Sequence, residues 1–223
     1  MTVYKKLILG TSVVLAGAFS GVAVASCANS VWNEAAIPQG DVGTFSLNAG
    51  ALKADSKGKV KPTRSEKRCG SVQNEALVFA AKVKIHSGDN VSIVQFLNVR
   101  KLGKKSGSSE AIAQFVFDRS DSGLDRPLAA NEYRVSIEQG NQYCGFTIMA
   151  DQWYPLTARV EAGGSPEFTL GDNTCVAQND RRAGQRGADE NLYYYLKYGA
   201  YAAAKNTQGG SVSFAEVAVS RGD

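Results

Sequence analysis

The run Asn191–Tyr201, reading NLYYYLKYGAY, places a cation among phenols at strand spacing. Its odd positions are Tyr193, Tyr195, Lys197, Gly199 and Tyr201; its even ones are Leu192, Tyr194, Leu196, Tyr198 and Ala200. A β-strand puts these two sets on opposite faces. The even set can pack on a core. The odd set sets an ammonium two residues from Tyr195 and four from Tyr201, which suits an anionic, ring-shaped ligand better than water. A phenol ionises near about 10. Neighbouring cations favour phenolate, the form that can remove a proton.

Two other segments carry matching chemistry. In Arg64-Ser65-Glu66-Lys67-Arg68 a strand puts Arg64, Glu66 and Arg68 on one face, two guanidinium forks around a carboxylate. Such forks hold carboxylates bidentately, and the central Glu can orient both. A surface charge ladder has the same pattern. In Val91–Arg100, VSIVQFLNVR, Gln95 interrupts an odd face of Val91, Ile93, Leu97 and Val99. It is either a hydrogen-bonded core amide or an amide facing a cleft. Ordinary core and rim packing is the alternative for the tyrosines.

These residues need a scaffold, and the chain is β-rich. Apolar and β-branched runs recur at 77–85, 91–99, 111–117, 133–137, 146–150, 157–160, 193–201 and 211–219. Turn-forming clusters separate them, among them Ser120 to Gly123, Gly163-Gly164-Ser165-Pro166 and Gly171-Asp172-Asn173. That rhythm predicts an all-β sandwich or jelly roll. Lys5 and Lys6, the small and apolar stretch Leu7–Val24, and Ala23-Val24-Ala25 predict a secretory signal peptide over 1–25 and one domain over 26–223. Lipidation at Cys27 is the alternative processing, and would leave an odd number of cysteines. With Cys27 kept, Cys27, Cys69, Cys144 and Cys175 predict two disulfides of open connectivity. No C-x-x-C or Cys/His cluster is present, so no metal or other cofactor is implied. The full chain carries 25 Lys and Arg against 21 acids, and two lysines leave with the signal. Mild positive charge fits an acidic partner; neither nucleic acid nor, after signal removal, a membrane is expected. Gln178–Glu190 reads as a solvated loop before the tyrosine strand, and Lys53–Lys61 as another whose lysines could line an anion site.

Together the three segments resemble polysaccharide lyase family 7, alginate lyases with a β-jelly-roll fold, a concanavalin-like sandwich of two antiparallel sheets. That family carries R-[ST]-E-x-R, Q-[IV]-H and Y-F-K-x-G-x-Y strands in this order. Here Arg64–Arg68, Gln95-Phe96-Leu97 and Tyr195-Leu196-Lys197-Tyr198-Gly199-Ala200-Tyr201 look like them, and Val212–Val219 resembles the closing strand. The likeness spans roughly Thr63 to Val219. It implies a secreted, monomeric enzyme that cleaves a 1,4-linked polyuronate, an anionic polysaccharide, by β-elimination. Arg64 and Gln95 would neutralise the uronate carboxylate, Tyr201 would move the proton, and Glu66, Arg68, Lys197 and Tyr195 would bind the chain. A glucuronan lyase, or a carbohydrate-binding jelly roll without activity, is the alternative. A glycoside hydrolase would need two flanking carboxylates, and Glu66 between arginines would be a poor acid.

One departure matters: Leu97 stands where the family has His. The chain's single histidine is His86. Leu77 to His86 reads as the strand before the Gln95 strand, with Ser87–Asn90 as the turn between paired neighbours. His86 would then lie about four residues from Gln95, roughly 14 Å away, too far for both to serve one sugar carbon. Tyr201 would serve as both base and acid. That is easiest where proton and leaving group share a face, as in β-D-mannuronate or β-D-glucuronate, so a mannuronate-type alginate is the expected substrate.

Overall fold

A computed structural model describes residues 27–29, 45–49, 63–72, 74–99, 109–139, 142–185, 193–202 and 210–222. They form thirteen strands: β1 (Cys27–Asn29), β2 (Phe45–Ala49), β3 (Thr63–Val72), β4 (Ala76–Gly88), β5 (Val91–Val99), β6 (Ser109–Asp118) and β7 (Glu132–Ile137), then β8 (Gln142–Met149), β9 (Tyr154–Val160), β10 (Glu167–Leu170), β11 (Asn173–Val176), β12 (Tyr194–Ala202) and β13 (Gly210–Gly222). The signal-peptide residues and Lys53–Lys61 lie outside the described residues. Every apolar run singled out in the sequence falls on a strand, except for its end residue at Ala150 and at Tyr193. The strands that escaped notice, β1, β2, β10 and β11, have at most five residues, too few for period two to stand out.

All strand pairs are antiparallel. One sheet runs β1-β3-β12-β5-β6-β7-β8, the other β11-β10-β9-β4-β13-β2. Alternation decides which side chains go inward. On β9, Leu156, Ala158 and Val160 are buried while Pro155, Thr157 and Arg159 are exposed. The inward faces interdigitate through aromatics: Phe115 stacks on Phe168 at 4.7 Å, Phe96 lies 5.8 Å from Phe168, and Phe79 lies 5.1 Å from Tyr198. Each of these ring pairs joins one sheet to the other, so they hold the two layers in register.

Two expectations are corrected here. β4 and β5 are consecutive but not paired: β4 lies between β9 and β13, β5 between β12 and β6. Asp89-Asn90 therefore carries the chain from one sheet to the other, with Asn90 at φ 54°. The odd face of β5 is also not the core face throughout. Its register against β6 slips between Ser92 and Val94, so Val91, Ile93, Val94 and Phe96 all join the core. Gln95 and Leu97 are left to the other face, where both are buried.

Cysteines tie the edges. Cys144 on β8 and Cys175 on β11, the outermost strands of the two sheets on that side, form a disulfide. Cys69 is also disulfide-bonded. Cys27 stands directly opposite it across the β1–β3 ladder.

Candidate functional site

The three chemistry-bearing segments, well separated in sequence, occupy adjacent strands. β12 lies between β3 and β5, so the tyrosine run is flanked by the Arg-Glu-Arg segment and by the Gln95 segment. Lys197 is the Cα partner of Gln95 on one side and Arg68 on the other. Tyr201 is likewise opposite Ser92 and Arg64. Two rows thus cross the sheet, with Gly199 opposite Glu66 between them. Arg64 is placed by its backbone alone.

The even face of β12 behaves as its sequence predicts. Tyr194, Leu196, Tyr198, Ala200 and Ala202 all enter the core. Burial pushes the phenols of Tyr194 and Tyr198 up to about 12, so both stay protonated near neutral pH. Tyr194 donates to the carbonyl of Glu75. Neither can serve as a base at working pH.

The opposite face is polar, yet it is buried as well. Glu66 is 4% exposed, Gln95 5% and Lys197 9%. Buried polar groups need partners. Gln95 Nε2 donates to Glu66 Oε1 at 2.6 Å, and Lys197 Nζ lies 3.8 Å from Glu66 Oε2. Glu66 thereby fixes both an amide and an ammonium. A primary amide has two N–H donors, so Gln95 retains one for a bound anion. Arg68 is exposed and its guanidinium lies over Tyr195, with Cζ 4.1 Å from the ring centre. That contact holds the guanidinium on a buried aromatic shelf. Tyr201 is half-buried.

Gly199 has φ 146°, and the β12–β5 register slips between Tyr198 and Tyr201. Only glycine takes that conformation without strain.

Sequence reasoning passed over two members of this face. Ser92, opposite Tyr201, donates from Oγ to Gln114 Oε1 at 3.0 Å, and Gln114 is opposite Gln95. The signal was present: Gln114 is the single polar residue in Ala111–Phe117, as Gln95 is within Ile93–Leu97. The loop before β12 is fastened to the same sheet. Asn98 Nδ2 donates to the carbonyls of Arg182 and Gln185, and Asn98 Oδ1 accepts from the Gly184 amide.

His86 is remote from all of this. It lies on β4, in the other sheet, with Nδ1 2.6 Å from Asp151 Oδ1 and Nε2 2.6 Å from Ser213 Oγ. His86 and Gln95 are kept apart by placement in different sheets, not by the hairpin expected from the sequence. As His86 is the chain's one histidine, no imidazole serves the β3–β12–β5 face.

Comparison with solved structures places this architecture. A polysaccharide lyase of family 18, aly-SJ02, superposes with a TM-score of 0.52 at 15% identity, over 82% of this chain and 90% of that one. An alginate lyase from Alteromonas sp. 272 does so with a TM-score of 0.51 at 15% identity, over 89% of this chain and 94% of that one. The fold is the lyase jelly roll. No protein-family model and no curated protein matches the sequence. At this identity the likeness carries the fold alone, and a shared fold does not by itself assign a reaction. The residues must supply that argument.

Proposed function

We propose that this chain is a secreted polysaccharide lyase that cleaves a 1,4-linked polyuronate by β-elimination, with a mannuronate-type alginate as preferred substrate. Residues 1–25 are read as its signal peptide and 26–223 as one catalytic domain. The observation that carries the reading is the meeting of Gln95, Glu66, Lys197, Arg68 and Tyr201 on one face of β3, β12 and β5. Three cations (Arg64, Arg68, Lys197) against one carboxylate (Glu66) suit a polyanion, and an export route agrees with the Cys144–Cys175 disulfide.

The C5 proton of a uronate is poorly acidic while its carboxylate is charged. Gln95 and Arg64 are assigned to that carboxylate, where they stabilise the enolate that develops on proton loss. Glu66 holds Gln95 in place; Arg68 and Lys197 bind neighbouring uronates, and Tyr195 supports Arg68. Tyr201, as phenolate, takes the C5 proton. Electrons collapse to form the C4–C5 double bond, and the departing C4 oxygen recovers that proton from the phenol. One group can do both only when proton and leaving oxygen lie on the same side. With His86 in the other layer, that condition selects β-D-mannuronate, or β-D-glucuronate as the second choice, over α-L-guluronate.

The test is ultraviolet absorbance of the unsaturated product on polymannuronate, glucuronan and polyguluronate. Tyr201→Phe should lower the rate by about 10²–10⁴-fold while polymer retention in affinity gels persists. Unchanged activity in that variant, or cleavage of polyguluronate alone, sinks the assignment. Polymer retention with no absorbance change on any substrate would instead identify a binding jelly roll.

A further inference from the structure

On the other sheet, Asp151, His86 and Ser213 form one chain of hydrogen bonds that the lyase reading does not use. His86 Nδ1 lies 2.6 Å from Asp151 Oδ1, and Nε2 lies 2.6 Å from Ser213 Oγ. An ionised carboxylate only accepts, so Nδ1 carries a proton, and with the imidazole neutral Nε2 accepts from the Ser213 hydroxyl. This is a nucleophile, a base and a group that orients the base, in the order that activates a hydroxyl.

The backbone builds this arrangement on purpose-shaped elements. Along the β4–β13 ladder Ser211 pairs with Ser87 and Val212 with Ile85, so His86 is the extra, bulged residue of β4. A bulge re-aims its side chain. Val212 and Phe214 point into the core, which leaves Ser213 on the outer face with His86. Asp151 is delivered by the turn between β8 and β9. It has φ 59°, and its amide donates to the carbonyl of Ile85, one residue before His86. A structural clamp needs only one of these side-chain bonds; here the ring bridges two partners on separate segments.

We infer that Ser213, His86 and Asp151 are a second, hydrolytic site that cleaves short-chain acyl esters of sugars. Ser213 Oγ attacks the ester carbonyl carbon, and its proton passes to His86 Nε2, with Asp151 stabilising the imidazolium. Lys84 is the direct ladder partner of Ser213, and its ammonium is assigned to the tetrahedral oxyanion. Collapse expels the alcohol, which takes the proton from His86 and leaves an acyl-serine. Water repeats the sequence, releasing the carboxylic acid and restoring Ser213. Ser213 is 3% exposed, so an acyl carbonyl reaches Oγ only by displacing neighbouring side chains, which a short acyl group does at least cost. The alcohol side is marked by Trp153, 38% exposed, whose ring lies 4.9 Å from Lys84 Nζ. Lys84 covers one face of the indole, and the rest of this exposed ring offers a flat surface for a sugar. This site shares no residue with the β3–β12–β5 face, so it stands or falls separately from the lyase reading.

The oxidised full chain should hydrolyse p-nitrophenyl acetate faster than an equal concentration of free imidazole. Diisopropyl fluorophosphate should stop that hydrolysis, and peptide mass spectrometry should place a single adduct on Ser213. His86→Asn and Ser213→Ala should each lower the ester rate by at least about 10³-fold. An unmodified Ser213 in the wild-type chain, or ester hydrolysis no faster than imidazole, overturns the proposal whether or not the variants fold. Hydrolysis that survives in folded Ser213→Ala does the same. A lowered melting temperature in either variant, without any esterase activity in the wild type, would show a clamp only.

Discussion

Glu66 and Lys197 give the sharpest energetic test of the site. Their charged atoms are 3.8 Å apart, with side chains 2% and 11% exposed. At an effective dielectric of about 20, Coulomb attraction at that distance is about 4 kcal/mol. Both ions have given up water, and that cost offsets much of the gain, so the net worth of the pair is smaller. Removing one partner is different, because the other stays buried as an ion and loses this attraction. Glu66→Gln keeps an acceptor for Gln95 but deletes the charge, and should cost about 3 kcal/mol. In a domain of this size that lowers Tm by about 6–12 °C. Lys197→Met should cost a similar amount, since it takes the ammonium from the buried carboxylate instead. The double variant removes both charges together and should lose clearly less stability than the two single losses added. Urea titrations of the four proteins should give a coupling energy of about 2–3 kcal/mol. Strictly additive losses, with coupling below about 0.5 kcal/mol, would refute the claim that this pair organises the face.

Other perturbations probe the scaffold. Cys144 and Cys175 close a loop with a sequence separation of 31; replacing both by Ser should cost about 3–4 kcal/mol in urea titration by loop entropy. Gly199→Ala forces a Cβ onto a backbone at φ 146°, and should cost about 1–3 kcal/mol while lowering uronate cleavage more than melting temperature. Glu132 accepts two bonds from Arg126 and others from Thr147 and the Ala129 amide, holding its carboxyl at about 2 against an ordinary 4.5. A depressed carboxyl stabilises the fold above its unfolded pKa and loses that contribution as pH falls through its folded one. Glu132→Gln should therefore unfold at lower urea than wild type near neutral pH, with the gap closing between about pH 4.5 and 2; a gap constant with pH would show the ionised form is not what matters.

The sequence carried the local structure and the chemistry of each strand. Alternation at period two is intrinsic to an extended backbone, so the core and polar faces of β12 could be read without knowing its neighbours. The same holds for the turn at Gly171-Asp172 and for the core positions of β9. Pairing could not be read this way. Which strand lies beside which is decided by burial across the whole sandwich, through contacts distant in sequence. Adjacency of β3, β12 and β5 is therefore a tertiary fact, and so is the transfer of β4 to the other layer. The bulges that move Val94 into the core and turn His86 toward Ser213 depend on the partner's register, and no single strand records them. Disulfide connectivity followed only once β8 and β11 met at one side of the two sheets. The phenols and the one cation of Tyr193–Tyr201 named a chemistry for an anionic ring. The packing of two sheets decided that Glu66 and Gln95 would stand beside them and that the lone histidine would not.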